Sequence, residues 1–341
     1  MTNVVLAKAA DLEPKVRAAL SAAGADEASS NATTRALMHA SRIGVDSHGV
    51  RLVPHYVRDL KSGQVNGKPD VKIVEGSPVV LNVDADGGLG HLASFRAVEA
   101  AGAAARKFGI AAAGVRNSSH YGAAGAYALA GAESGLIVLS LTNADSLVAL
   151  HEGAKPFHGT NPISCGIPVP NAKPWLLDMA TSSIPFNRVL LNRVLGRELA
   201  DGVAADMAGE MTRDAKKAEM LVPVGGAEFG FKGAALGGLV TILSAVLTGA
   251  TADPFMLSMM DPNITQSRNV GHFFLAIDPA FFGGAETFGP SLAAYLEALR
   301  GSPVKAGGRV MAPGDREWQV EIDREANGIP VDPETAAFLG L

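Results

Sequence analysis

The rhythm of apolar and polar positions changes near residue 70. The stretch 11–62 is alanine-rich and reads as helical, with Leu20 and Ala23 ahead of a break at Gly24 and a second helix predicted over 26–43. From Val71 the texture is that of strands: 71–74 and 79–83 cluster β-branched residues between Gly and Pro punctuation. A helix is predicted over 93–108. Short apolar runs then follow at 110–115, 136–142, 164–168 and 175–177, separated by a small-residue helix over 123–130 and by loops. Further on come a charge-free helix over 233–252, a strand over 273–277 and a helix over 291–299. Strands alternating with helices predict an α/β protein. No internal repeat, low-complexity tract or Gly/Ser linker marks a boundary, so the chain is expected to leave one unit and return to it.

Composition narrows the class. With 341 residues, 48% hydrophobic and 18% charged, the chain can bury a large core and is not of disordered type. The net charge of −5 and the lack of any basic stripe argue against nucleic acid as a partner. Cys165 is the only cysteine and excludes an internal disulfide; with no basic n-region before Lys8, a cytoplasmic protein is expected. The stretch 233–252 is long enough to cross a bilayer. Its many small residues, with Leu236, Leu239, Val240, Leu243 and Leu247 at helical spacing, predict instead a buried helix.

Three polar clusters could carry chemistry. Gly88, Gly90 and Ala93 form a G-x-G-x-x-A, but Arg116 stands where a dinucleotide fold needs an acidic residue, so a glycine turn capping a helix is the better reading. Asp46-Ser47-His48-Gly49-Val50-Arg51 sets an imidazole beside a hydroxyl and one turn from a guanidinium, a proton exchanger near a carboxylate grip. Arg116-Asn117-Ser118-Ser119-His120-Tyr121-Gly122 lies between a strand and a helix, where α/β proteins place ligands; the plainer reading makes Ser118 or Ser119 a helix N-cap. His48, His55, His120, His151 and His158 lack zinc spacing, and no nucleophile elbow or P-loop is present. No metal is expected.

Seven segments, taken in order, resemble the type-2 malate/L-lactate dehydrogenase family: Asp46 to Arg51, Asn117 to Gly122, Gly159-Thr160-Asn161-Pro162-Ile163, Leu177-Asp178-Met179-Ala180-Thr181-Ser182, Phe231-Lys232-Gly233, Gly271 to Pro279 and Ala312-Pro313-Gly314-Asp315. This family also holds sulfolactate, ureidoglycolate and diketogulonate oxidoreductases and Δ1-piperideine-2-carboxylate/Δ1-pyrroline-2-carboxylate reductase. The resemblance implies a non-Rossmann α/β fold with a mixed sheet and surrounding helices. It implies a homodimer with its active site near the subunit interface, and hydride transfer between nicotinamide and C2 of a small 2-oxo/2-hydroxy acid. NAD(H) is the expected cofactor and NADP(H) the alternative. A cyclic imino acid is the alternative substrate, and a catalytically inactive NAD-binding relative the reading from another class.

Residue by residue, the resemblance makes His48 the proton donor with Ser47 beside it, and gives His120 the acid/base role in some members. Arg51, Thr160, Asn187 and Arg188 would meet substrate. His120, Tyr121, Gly122, Ala123, Ala124, Asp178, Met179, Ala180, Phe231, Lys232, Arg309, Pro313 and Gly314 would line the cofactor. The segment Ser183-Ile184-Pro185-Phe186-Asn187-Arg188 departs from the family pattern: the imino-acid reductases place an aspartate where Arg188 stands, so their Ser-His-Asp relay is incomplete here. The expected organisation is a helical N-terminal region, residues 1–75, packing with residues 290–341 around a central α/β cofactor-binding region, residues 76–289, with none of these an independent domain.

Overall fold

The computed structural model describes residues 4–259, 261 and 265–341. Its centre is a seven-stranded sheet, whose strands we number within the sheet along the chain: β1 Lys72–Ser77, β2 Val80–Asp84, β3 Ile110–Ser118, β4 Ile137–Thr142, β5 Ile163–Ile167, β6 Trp175–Met179 and β7 Val270–Ile277. In space they run β1-β2-β3-β7-β4-β5-β6. Only β2 and β3 are parallel, joined by the helical crossover that parallel neighbours require. The mixed, non-Rossmann α/β class expected from the resemblance is the one observed. The last strand enters between β3 and β4, which explains why no domain boundary shows in the sequence.

Ten helices surround the sheet among the described residues: α1 Ala9–Ala22, α2 Glu27–Arg42, α3 Val53–Ser62, α4 Gly90–Phe108, α5 Gly125–Glu133, α6 Phe186–Leu195, α7 Gly226–Thr241, α8 Ala285–Arg300, α9 Asp315–Asn327 and α10 Pro333–Leu339. Alanines let α4 lie close to the sheet: Ala97, Ala101 and Ala105 share one core with Ala111, Ala113, Val115 and Phe274. A second core joins the two ends of the chain. Leu12, Val16 and Leu20 of α1 and Tyr56 and Leu60 of α3 pack with Ala336 and Leu339 of α10, and Val5–Ala7 pairs antiparallel with Ile329–Val331. An outer lobe, built on α6 and a small four-stranded sheet, has its own core of Val148, Val189, Leu199, Ala204, Ala215, Ala218 and Leu221.

Two expectations are corrected. The helix predicted as buried over 233–252 is α7, continued by a π-helical turn over Ile242–Val246, and it presents its leucines outward: Leu236, Leu239 and Leu247 are 38%, 48% and 65% exposed. Its small face is the buried one. Gly233, Gly237, Thr241, Ser244 and Ala245 face inward, with Val240, because the backbone comes too near for larger residues; a Cβ on Gly233 would lie 2.4 Å from Val224. The second correction concerns α5, which Ser118 or Ser119 was expected to cap. It starts at Gly125, and the Asp178 carboxylate from β6 accepts the Gly125 amide at 2.8 Å instead. The Ser118 hydroxyl is engaged with His272 Nε2 at 2.8 Å.

Candidate active site

His48 lies in a pair of 3-10 turns, Asp46–His48 and Val50–Leu52, that connect α2 to α3. Two ties fix this connection. Ser41 Oγ accepts the Val50 amide at 2.9 Å, and a Cβ on Gly49 would stand 2.2 Å from that oxygen, so only glycine leaves room for the tie. Arg324 on α9 grips both carboxylate oxygens of Asp46, at 2.5 and 2.8 Å, and also donates to Ser41 O. Held this way, Ser47 Oγ meets His48 Nδ1 at 2.9 Å, leaving Nε2 as the ring's other polar atom.

His120 follows β3 and stacks against His48 with ring centroids 5.9 Å apart and planes 27° from parallel. Its Nδ1 is 2.6 Å from the Tyr56 hydroxyl and accepts the Gly122 amide at 3.4 Å. A backbone amide can only donate, so Nδ1 carries no proton; Tyr56 therefore donates as well, and the proton of His120 sits on Nε2. Gly122 reaches this position with φ +74°, in the region that favours glycine. Beneath the loop, Tyr121 stacks on buried His272 at 4.5 Å, whose Nδ1 meets Thr142 Oγ1 at 2.7 Å.

Burial lowers the pKa of both site imidazoles, so both are neutral near pH 7. Their situations still differ. Burial is the cause for His48, whereas His120 also faces His48, His55 and Arg268, any of which repels a second proton when charged. Protonating His120 at Nδ1 would in addition break the hydrogen bond from Gly122 and force the Tyr56 hydroxyl to turn from donor to acceptor. His120 is thus a fixed hydrogen-bond donor, and His48 is the imidazole free to change protonation.

Asp178 stands at the head of α5 with its pKa pushed up to about 7, chiefly by burial and opposed by the Gly125 amide. Pro313 and Gly314 join the same strand, since Leu176 donates to Pro313 O at 3.2 Å. Met179 and Ala180 continue toward Thr160, whose carbonyl accepts the Thr181 amide at 2.9 Å. The Thr160 turn is pinned by buried Asp253, which accepts from Gly159 N, Asn161 Nδ2 and Thr241 Oγ1. The turn His120 to Ala124 and Asp178 thus share one rim with Pro313 and Gly314 behind it. Ser119 Oγ is buried beside this rim with no partner, and Asp178 Oδ1 has none among the described residues; these atoms suit a group with both donors and acceptors, as a nicotinamide carboxamide has. The rim fits such a cofactor.

The other predicted residues lie apart. Asn187 and Arg188 are on α6, and Phe231 and Lys232 on α7, with Phe231 against His151 at 5.7 Å; no hydrogen bond or ring contact links the four to His48 or His120 among the described residues. Arg309 is exposed and bonds Gln319. Arg51 is exposed beside His48 with no partner among the described residues. The G-x-G-x-x-A is closed to phosphate, since Gly90 N donates to His120 O and a Cβ there would lie 2.4 Å from Ser119 O. Two contributors carried no motif signal. Tyr56 reads as an ordinary apolar helix position, and Arg324 as one charge among many on α9.

The chain is similar to known proteins over nearly its whole length. The model of the family described as malate/L-lactate dehydrogenase matches residues 7–339. The malate dehydrogenase of Pyrococcus abyssi is 36% identical over 302 residues, covering 86% of this chain and 82% of that one. The (2R)-3-sulfolactate dehydrogenase (NADP(+)) of Chromohalobacter salexigens is 34% identical, covering 90% and 89%. The crystal structure of malate dehydrogenase from Entamoeba histolytica superposes with a TM-score of 0.92 at 26% identity, covering 99% of both chains. The chain belongs to the malate/L-lactate dehydrogenase family and is an oxidoreductase.

Proposed function

We propose that the protein moves a hydride between a nicotinamide cofactor, NAD(H) before NADP(H), and C2 of a small 2-oxo/2-hydroxy acid. The observation that carries this reading is the pairing of a neutral, Nε2-protonated His120 with a Ser47-supported His48 at the cofactor rim. When bound, nicotinamide supplies or accepts the hydride at C4. The residues supply the rest. His120 Nε2–H polarises the substrate oxygen, and His48 exchanges the proton that this oxygen gains on reduction or loses on oxidation. Arg51, exposed and without a partner among the described residues, offers the fork for the substrate carboxylate. In the free protein His48 is neutral near pH 7, so it is ready as a base for hydroxy-acid oxidation and must first gain a proton for reduction.

Nicotinamide absorbance followed across a panel of 2-oxo acids, 2-hydroxy acids and cyclic imino acids, with each cofactor, tests the reading. Turnover of an acid supports it. Turnover of imines alone transfers the site to a reductase of C=N bonds, and tight cofactor binding without any turnover marks an inactive relative.

A homodimer belongs to the same proposal. One helix among the described residues, Gly226–Val246, is apolar and long enough to cross a membrane, with mean hydropathy 1.6. Its exposed row of Leu239, Ile242, Val246 and Leu247 is supported better as a face covered by a second copy, since the opposite face already packs on this chain's sheet. A cytoplasmic location agrees with the single free thiol, Cys165.

A further inference from the structure

Behind the candidate site lies a histidine that the proposed chemistry does not use. His91 is 0% exposed at the second position of α4, the helix opened by the G-x-G-x-x-A. Its Nδ1 lies 3.2 Å from Thr33 Oγ1 on α2, and its ring meets the Tyr56 ring edge to face, with centroids 5.0 Å apart at 89°. Its Nε2 is buried without a hydrogen-bond partner among the described residues and faces Gly122, where a Cβ would come within 3.3 Å of it. Both groups that donate to His120 Nδ1, the Tyr56 hydroxyl and the Gly122 amide, therefore rest on this one imidazole.

We propose that His91 is a positioning residue, holding the Tyr56 hydroxyl and the Gly122 amide on His120 Nδ1 and so keeping the His120 proton on Nε2, the nitrogen that would face substrate. The inference rests on the reading of His120 given under the proposed function. Tyr56 touches three imidazoles. His55 neighbours it on α3 and moves with it, and His120 is the group being positioned. Of the three, His91 alone comes from another helix, α4, and it is itself held by Thr33 on α2. Its position also suits it to a passive role: burial pushes its pKa down to about 3, so it stays uncharged at any pH at which the enzyme would work.

The test is the tautomer of His120, read on the full-length protein labelled with 15N-histidine by long-range proton–nitrogen correlation, with the His120 signals assigned from His120→Gln. The unsubstituted protein is expected to show protonated Nε2 and bare Nδ1 at His120. His91→Ala is expected to shift these signals toward a mixture of tautomers, and Tyr56→Phe to give the same shift with His91 untouched. Freed of its donors, His120 should also gain protons more easily, so hydroxy-acid oxidation by His91→Ala falls off in mildly acidic buffer where the parent does not. If His91→Ala does not fold, Thr33→Val, which removes only the Nδ1 contact, is expected to move the signals in the same direction. His120 signals unchanged in the folded variant overturn the proposal. The spectra need neither substrate nor cofactor, so a silent activity panel together with a shifted tautomer counts against the proposed function and not against His91.

Discussion

The inner site and the outer lobe are built on opposite plans. The turns that carry His48 and His120 are tied down by polar contacts among the described residues: Arg324 on Asp46, Ser41 on Val50, Tyr56 and Gly122 on His120. The outer lobe and α7 instead leave large side chains outward, among them Leu191 and Val194 on α6 and Phe229, Phe231 and Leu239 on α7, each close to half exposed or more. The two imidazoles are thus seated by contacts within the described residues, while α6 and α7 leave apolar side chains exposed. A mutation in the first region should strike the chemical step; one in the second should act through assembly.

The largest effect is expected inside. His48→Ala removes the exchangeable proton, and kcat should fall roughly 10²–10⁴-fold with the fold intact, as acid–base groups typically contribute that much. His120→Ala should cost less in kcat and weaken cofactor binding at least as much. Steady-state rates at saturating cofactor and substrate decide; complete loss in His120→Ala with His48→Ala nearly unaffected reverses the two roles.

Leu239→Asp sharpens the other side. A charge in the middle of the α7 face should turn the proposed dimer into a monomer by sedimentation and lower kcat/KM by roughly an order of magnitude, the helix itself remaining folded. A monomer with full activity would show that one chain completes the site.

Acid should separate stability from chemistry. His91 and His272 have pKa values pushed down to about 3 by burial, against 6.5 when unfolded. Below pH 6.5 the unfolded chain therefore binds protons that the folded chain refuses, so stability is fully present above 6.5 and drains away as pH falls toward 3. At pH 5 the loss is about 2 kcal/mol for each such histidine, which denaturant midpoints at pH 7 and pH 5 would register.

Arg51→Lys should have the smallest effect. It keeps the charge but loses the fork, so KM for the acid should rise several-fold while cofactor affinity stays constant. An unchanged KM removes Arg51 from the site.

Sequence made some of this legible and hid the rest for identifiable reasons. Strands such as β2 and β3 could be read, and His48 and His120 singled out, because each sits in a locally distinctive run, whereas Asp178 came only from the family resemblance. The face of α7 could not, since leucines three or four apart look the same whether they face the core or a partner; here the tight backbone approach at Gly233 decided the matter. Tyr56 and Arg324 were hidden because their partners are remote in the chain. The entry of β7 between β3 and β4 has no local signature either. The helices α6, α9 and α10 also gave no pattern that predicted them, α9 being largely charged.

The grip of Arg324 on Asp46 spans 278 positions. During synthesis the turn bearing His48 emerges before any strand of the central sheet, but its anchor follows only after all of them. The seat of His48 is thus completed only after the whole sheet has been made, and a polypeptide stopped short of α9 should have most of its sheet and no properly seated His48.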